Sequence, residues 1–150
     1  MNGIRYNTIM KPSIVIDTCV LISALRSKNG ASFKLVSLVD SQKFSFSLSV
    51  PLVLEYESTA KRIARSLGLT HADIEDIIDY LCTIGKHRKV HYLWRPNLKD
   101  PGDDFVLELA VESECQYIVT FNIKDFSKAN NFNVAVITPQ ELLRKIGETI

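Results

Sequence analysis

The sequence predicts an α/β fold, a single domain with a central parallel sheet flanked by helices on both faces. Three observations carry this prediction. Short apolar, β-branched runs recur along the chain. Amphipathic stretches of helical length separate them, and capping signals open and close those stretches. The chain has 150 residues, 46% of them hydrophobic and 23% charged, enough to bury one core without disulfide staples.

Residues 1–9 show no periodicity and read as a weakly structured extension of a domain spanning 1–150. Ser13–Ile16 is a buried strand ending at Asp17. Residues 18–26 form a first helix and 31–41 a second, with Phe33, Val36, Leu38 and Val39 apolar. Residues 44–48 alternate as a strand does. Ser49 caps a helix running to about Leu67, with Gly68 as its stop and an apolar stripe on Val53, Tyr56, Ala60, Ile63, Ala64 and Leu67. Thr70 with Asp73 opens another helix, closed by Gly85. Residues 90–94 are a strand candidate, and 95–102 a Pro/Gly loop. Asp103 is expected at the N-cap of a helix over 104–114. A strand over 117–120, a helical turn over 123–128 and a strand over 134–137 follow. Thr138, Pro139 and Glu141 then combine a capping box with proline at the first helical position, opening the last helix.

Bulk properties exclude several classes. The formal net charge of +1 supplies no global field for a polyanion, so any such affinity must come from local cations. Cys19, Cys82 and Cys115 are odd in number and widely spaced, which argues against a disulfide framework or zinc site and fits a reduced, cytoplasmic setting. No apolar run approaches membrane-spanning length.

The chemistry lies with the carboxylates. Asp17 ends a strand of Ile14, Val15 and Ile16, where an acid is costly to bury unless a metal, a partner or backbone donors offset its desolvation. It reads equally as the cap of the following helix. In the loop from Lys99, three acids, Asp100, Asp103 and Asp104, fall together at a helix start. Capping accounts for one; a divalent cation is the natural neutraliser of three, and a solvated acidic turn is the alternative. Glu55 lies off its helix's apolar stripe. It shares a polar face with Ser58, Arg62 and Arg65, a spacing that suits a groove with Glu55 at the metal end and the arginines following a phosphate backbone.

Together these segments resemble the PIN-domain nucleases, and in particular the PIN-family toxins of bacterial toxin–antitoxin modules. The resemblance runs from about Ser13 to Ile137 and rests on four segments. Residues 13–21 look like the opening strand, whose terminal Asp17 corresponds to the family's first metal ligand. Residues 49–57 look like the helix start that supplies Glu55. Residues 100–104, with Leu107 and Ala110 beyond, place the third acid on Asp103 rather than Asp104. Residues 118–122 with Lys124, Asp125 and Phe126 resemble the last motif, except that Asn122 stands where many PIN domains carry a fourth acid.

The resemblance implies a single PIN-like domain that hydrolyses RNA phosphodiesters with Mg²⁺ or Mn²⁺. Asp17, Glu55 and Asp103 would act as catalytic and metal-holding carboxylates, and Asn122 as a neutral fourth group that makes tight binding of a second ion doubtful. Thr18, Thr120, Asp100 and Asp104 would position them from behind; RNA contact by Arg62 and Arg65 is the expectation of their helical spacing and not of the resemblance. It also implies a homodimer and a small antitoxin partner, acting in the cytoplasm and away from membranes.

Three rival readings are set against it. Haloacid-dehalogenase-like phosphotransfer needs a second Asp two residues after the first, where this chain has Cys19. A metal-independent nuclease would use His87 and His91 beside Lys86, Arg88 and Lys89, but scattered histidines and a basic run commonly mark a solvated turn. A PIN fold with impaired catalysis would serve as a binding or assembly module, a reading that Asn122 favours.

Overall fold

A computed structural model describes residues 11–90 and 101–148. Five parallel strands form one sheet: β1 (Ser13–Ile16), β2 (Ser45–Leu48), β3 (Lys86–His87), β4 (Tyr117–Val119) and β5 (Ala135–Ile137). Their spatial order is β3-β2-β1-β4-β5. The chain builds outward from β1 through β2 to β3, then crosses back to lay β4 on the other side of β1. Right-handed crossovers in opposite directions put helices on opposite faces of the sheet. On one face α1 (Thr18–Arg26) packs against α2 (Ala31–Ser37) and α3 (Val50–Arg62), α3 packs against α5 (His71–Ile84), and α2 against α7 (Pro139–Lys145). On the other, α6 (Pro101–Glu112) packs on β1, β4 and a 3-10 segment, Ile123–Phe132.

A sheet covered on both sides must bury consecutive strand residues, and Ile14, Val15, Ile118 and Val119 have no exposed surface. Each such side chain contributes roughly 1.5–3 kcal/mol of transfer free energy. The reversal of strand order between β1 and β4 opens a crevice at their carboxyl ends, where open α/β sheets bind ligands. Asp17 follows β1 and Thr120 follows β4, so both stand at that crevice.

Local signals hold where they are self-contained. Both capping boxes form, Thr70 with Asp73 and Thr138 with Glu141. Ser49 caps α3 through the Leu52 N–H, and Gly68 stops the chain at a φ of 71°.

Other boundaries differ from expectation. α2 ends at Ser37 rather than 41: the Leu38 N–H turns back to the Leu35 and Val36 carbonyls, and buried Val39 packs from a turn. The single helix expected over 50–67 breaks at Ile63 (φ −113°, ψ 17°), a bridge conformation that separates α3 from α4 (Ala64–Leu67). Its buried stripe is Leu52, Tyr56, Ala60 and Ala64 rather than one through Val53, Ile63 and Leu67. α6 starts at Pro101, whose missing N–H costs nothing at a first helical position, so Asp103 sits inside the first turn and is not the N-cap. The helix ends at Glu112 rather than 114. The 3-10 segment runs to Phe132, beyond the turn expected over 123–128, and kinks at Phe126. The third strand is the two-residue edge β3, earlier than expected, and Val90 is not part of it. Positions 91–94, the extension at 1–9, Asp100 and His91 lie outside the described residues. Among the described residues no helix is long and apolar enough to cross a membrane.

Candidate functional site

Asp17 is the pivot of the crevice. It is only 5% exposed, and a carboxylate taken so far from water loses several kcal/mol of solvation unless donors replace it. Donors are present. The Thr18 N–H donates to Oδ1 at 2.9 Å, the Thr120 hydroxyl donates to Oδ2 at 2.7 Å, and the Cys19 thiol donates to Oδ2 at 3.4 Å. Thr120, with no exposed surface, also accepts the Asn122 N–H at 2.9 Å. One hydroxyl thus fixes both the acid after β1 and the backbone of the amide after β4. Asp17 is at the same time the N-cap of α1, so the capping reading of its position holds.

Four segments distant in sequence line one open cleft of about 520 Å³. α1 contributes Thr18, Cys19, Ile22, Ser23 and Arg26, with Asp17 at its start. α3 contributes Glu55, Thr59 and Arg62, α6 contributes Asp103, and Asn122 comes from the turn after β4. Asp17, Glu55, Asp103 and Asn122, singled out from sequence, therefore share one cavity wall. Asp104 does not line it; that side chain is buried on the inner side of α6, as is Glu108 four residues later. Arg65 lies in α4 beyond the break at Ile63 and is absent from the cleft, as is Ser58. His87 sits on edge strand β3 with a ring nitrogen against the Cys82 carbonyl, apart from the cleft.

The charges at this wall act on their neighbours. Tyr56 is buried beneath it and donates its hydroxyl to the Ile16 carbonyl. Burial, reinforced by the negative charges of Asp17 and Glu55, holds its phenol well above the ordinary value. Burial first and the Asp17 charge second likewise push the Cys19 thiol up. Cys19 is a neutral donor to the carboxylate and not a nucleophile in waiting.

The donor set can be tested against a cation. Among the described residues no group of three or more His, Cys, Asp or Glu side chains forms a metal cage. The acids instead stand on the walls of an open cleft. That arrangement suits Mg²⁺ or Mn²⁺, hard ions that prefer oxygen; Mg²⁺ keeps several waters and takes one or two carboxylates directly. Among the described residues the Thr18 hydroxyl, at the base of the same wall, is buried without a hydrogen-bond partner. The cleft wall offers oxygen donors of the kind such an ion takes.

Sequence reasoning missed Arg26, Ser23 and Thr59. A signal existed for the first two: Cys19, Ile22, Ser23 and Arg26 recur at helical spacing behind Asp17, on the face that Asp17 itself addresses. An exposed arginine in the last turn of a helix attracts no notice unless that face is followed.

Comparison with known proteins agrees with this geometry. A family model described as PIN domain matches residues 13–124. The fold is similar to that of a chain in the crystal structure of VapBC2 from Rickettsia felis bound to a DNA fragment from their promoter. The TM-score is 0.56 and the sequence identity 10%, over 83% of this chain and 96% of that one. At that identity the likeness is one of fold. No curated protein matches the chain.

Proposed function

Since the chain belongs to the PIN-domain family, a family of nucleases, we propose that it is a metal-dependent endoribonuclease, a single catalytic domain acting as the toxin of a toxin–antitoxin pair. One observation supports this above the rest: Asp17, Glu55, Asp103 and Asn122 arrive from four separate segments at one cleft over the strand-order reversal.

In this reading Asp17, Glu55 and Asp103 hold Mg²⁺ or Mn²⁺, some through water, with Asn122 beside them. When bound, the ion supplies Lewis acidity toward a phosphoryl oxygen and neutralises charge between acids and substrate. The protein's own part is positioning. Thr18 N–H and the Thr120 hydroxyl fix the Asp17 carboxylate, so it meets its ligand without reorganising. Asn122 offers an amide oxygen or N–H to a water without adding charge. Thr120 holds Asp17 in place, and buried Asp104 takes a like supporting part in this reading. Arg62, on the cleft wall, meets the RNA backbone. A homodimer and a small antitoxin protein are the partners, and the site of action is the cytoplasm.

The test is cleavage of a mixed single-stranded RNA with Mg²⁺, Mn²⁺ or chelator, beside Asp17→Asn. Cutting that needs metal and vanishes in the variant is the expected result; undiminished turnover in Asp17→Asn would sink the assignment. A folded wild type that cuts under no metal would support the second reading, a binding module, which the neutral Asn122 favours.

A further inference from the structure

Arg26 and Arg62 reach the cleft from different helices. α1 and α3 start at the carboxyl ends of the neighbouring parallel strands β1 and β2 and pack against each other. They therefore carry the chain away from the sheet's carboxyl edge in similar directions. Asp17 and Glu55 lie at or near their starts. Arg26 closes α1, a rise of about 12 Å from its first residue, and Arg62 closes α3, about 10 Å beyond Glu55. The cleft is thus acidic at one end and flanked by two guanidinium groups at the other.

Both arginines are exposed, and among the described residues neither takes part in an ion pair. Neighbouring Lys61 is spent on Glu57 and Glu75, and Lys34 and Lys43 both reach Glu148. Helix-dipole complementarity would account for a cation in each last turn. It does not account for both pointing into the cleft that holds the acids.

We infer that Arg26 and Arg62 form a two-helix clamp for the phosphate backbone of a single-stranded RNA, holding nucleotides beside the one that meets the carboxylates. Guanidinium forks bind phosphate bidentately and keep their charge at any working pH. The open cleft of about 520 Å³ leaves both guanidinium groups accessible to a strand laid along it. The clamp also answers how a chain of net charge +1 retains a polyanion: the affinity is local. This inference rests on the nuclease reading above.

The experiment measures binding of a labelled single-stranded RNA to the full chain in chelator, so that the strand stays intact, across a salt series. Arg26→Gln, Arg62→Gln and the double variant are compared with Arg144→Gln, which removes an exposed last-turn arginine of α7 away from the cleft. Each clamp arginine should lower the slope of log affinity against log salt by about 0.7, and the double variant by about 1.4, with Arg144→Gln unchanged. A wild-type slope in the double variant, an equal drop in Arg144→Gln, or no binding by wild type at low salt would overturn the clamp. Cleavage by Asp17→Asn on the same RNA separates the two proposals. Cleavage lost there with the slope kept in the double variant sinks the clamp and spares the nuclease. A reduced slope beside undiminished cleavage does the reverse.

Discussion

Replacing Thr120 by valine asks what holds the pivotal carboxylate. Valine keeps the shape of a side chain that has no exposed surface and removes the hydroxyl that bonds Asp17 at 2.7 Å and the Asn122 N–H at 2.9 Å. A hydrogen bond to a charged acceptor is worth roughly 1.5–3 kcal/mol, and the stranded Asn122 N–H costs roughly 1 kcal/mol more. We expect Thr120→Val to destabilise the fold by about 2.5–4 kcal/mol at neutral pH. At this chain length each kcal/mol moves the melting point by about 2–4 °C. The number alone does not identify the cause, so the measurement is a double-mutant cycle with Asp17→Asn, read by urea unfolding. Against a neutral amide the same hydroxyl is worth roughly 0.5–1.5 kcal/mol, so Thr120→Val should cost about 1 kcal/mol less in that background. Equal costs in both backgrounds, or a cost below about 0.5 kcal/mol in the wild type, would refute the view that this hydroxyl secures the charge.

Further outcomes follow from the same structure. Asp17→Asn should be as stable as wild type or more so, because asparagine caps a helix as well and relieves the desolvation of a charge only 5% exposed; a loss above about 2 kcal/mol would mark Asp17 as a structural residue first. Gly85→Ala should cost about 1–3 kcal/mol in a melt, since its methyl would meet Leu48 Cδ1 at 2.6 Å and Phe46 Cε2 at 2.9 Å; its φ of −71° suits any residue, so a neutral result would contradict the packing. Tyr56 has a phenol pKa raised above 10.0 in the folded state, so the stability it lends is whole below about pH 10 and is lost as pH climbs beyond it. Melting curves between pH 8 and 11 should fall less steeply for Tyr56→Phe, which gives up only the bond to the Ile16 carbonyl; parallel curves would show that another group governs alkaline unfolding.

What was legible in the sequence was what is decided locally. Thr70 with Asp73, and Thr138 with Glu141, satisfy backbone groups within a single turn, and both boxes form as read. Asp17 drew notice because an acid closing a run of Ile14, Val15 and Ile16 is costly to bury, although capping of α1 explained it as well. Glu55 was legible only by family resemblance: its periodicity is that of any solvated glutamate, and its place in the cleft depends on how α3 packs against α1 and α6. The break at Ile63 was hidden for a similar reason, because both Ile63 and Ala64 fit an unbroken helical stripe while the backbone between them turns. That turn removed Arg65 from the cleft and left Arg62 in it. A two-residue edge strand such as Lys86–His87 carries no period at all; the parallel pairing to Ser47 and Leu48 makes it a strand.

The bond between Thr120 and Asp17 joins residues 103 positions apart. Contacts of that span add to the loop-closure entropy that folding must overcome and raise the contact order that slows it. During synthesis, β1 with Asp17 emerges early, while its second neighbour β4 and the hydroxyl that steadies the acid emerge about a hundred residues later. A chain still on the ribosome has the acid without its support, and neither Asp103 nor Asn122 has yet joined the wall. Under the nuclease reading proposed above, the cleft wall has all its residues only once Asn122 has been made.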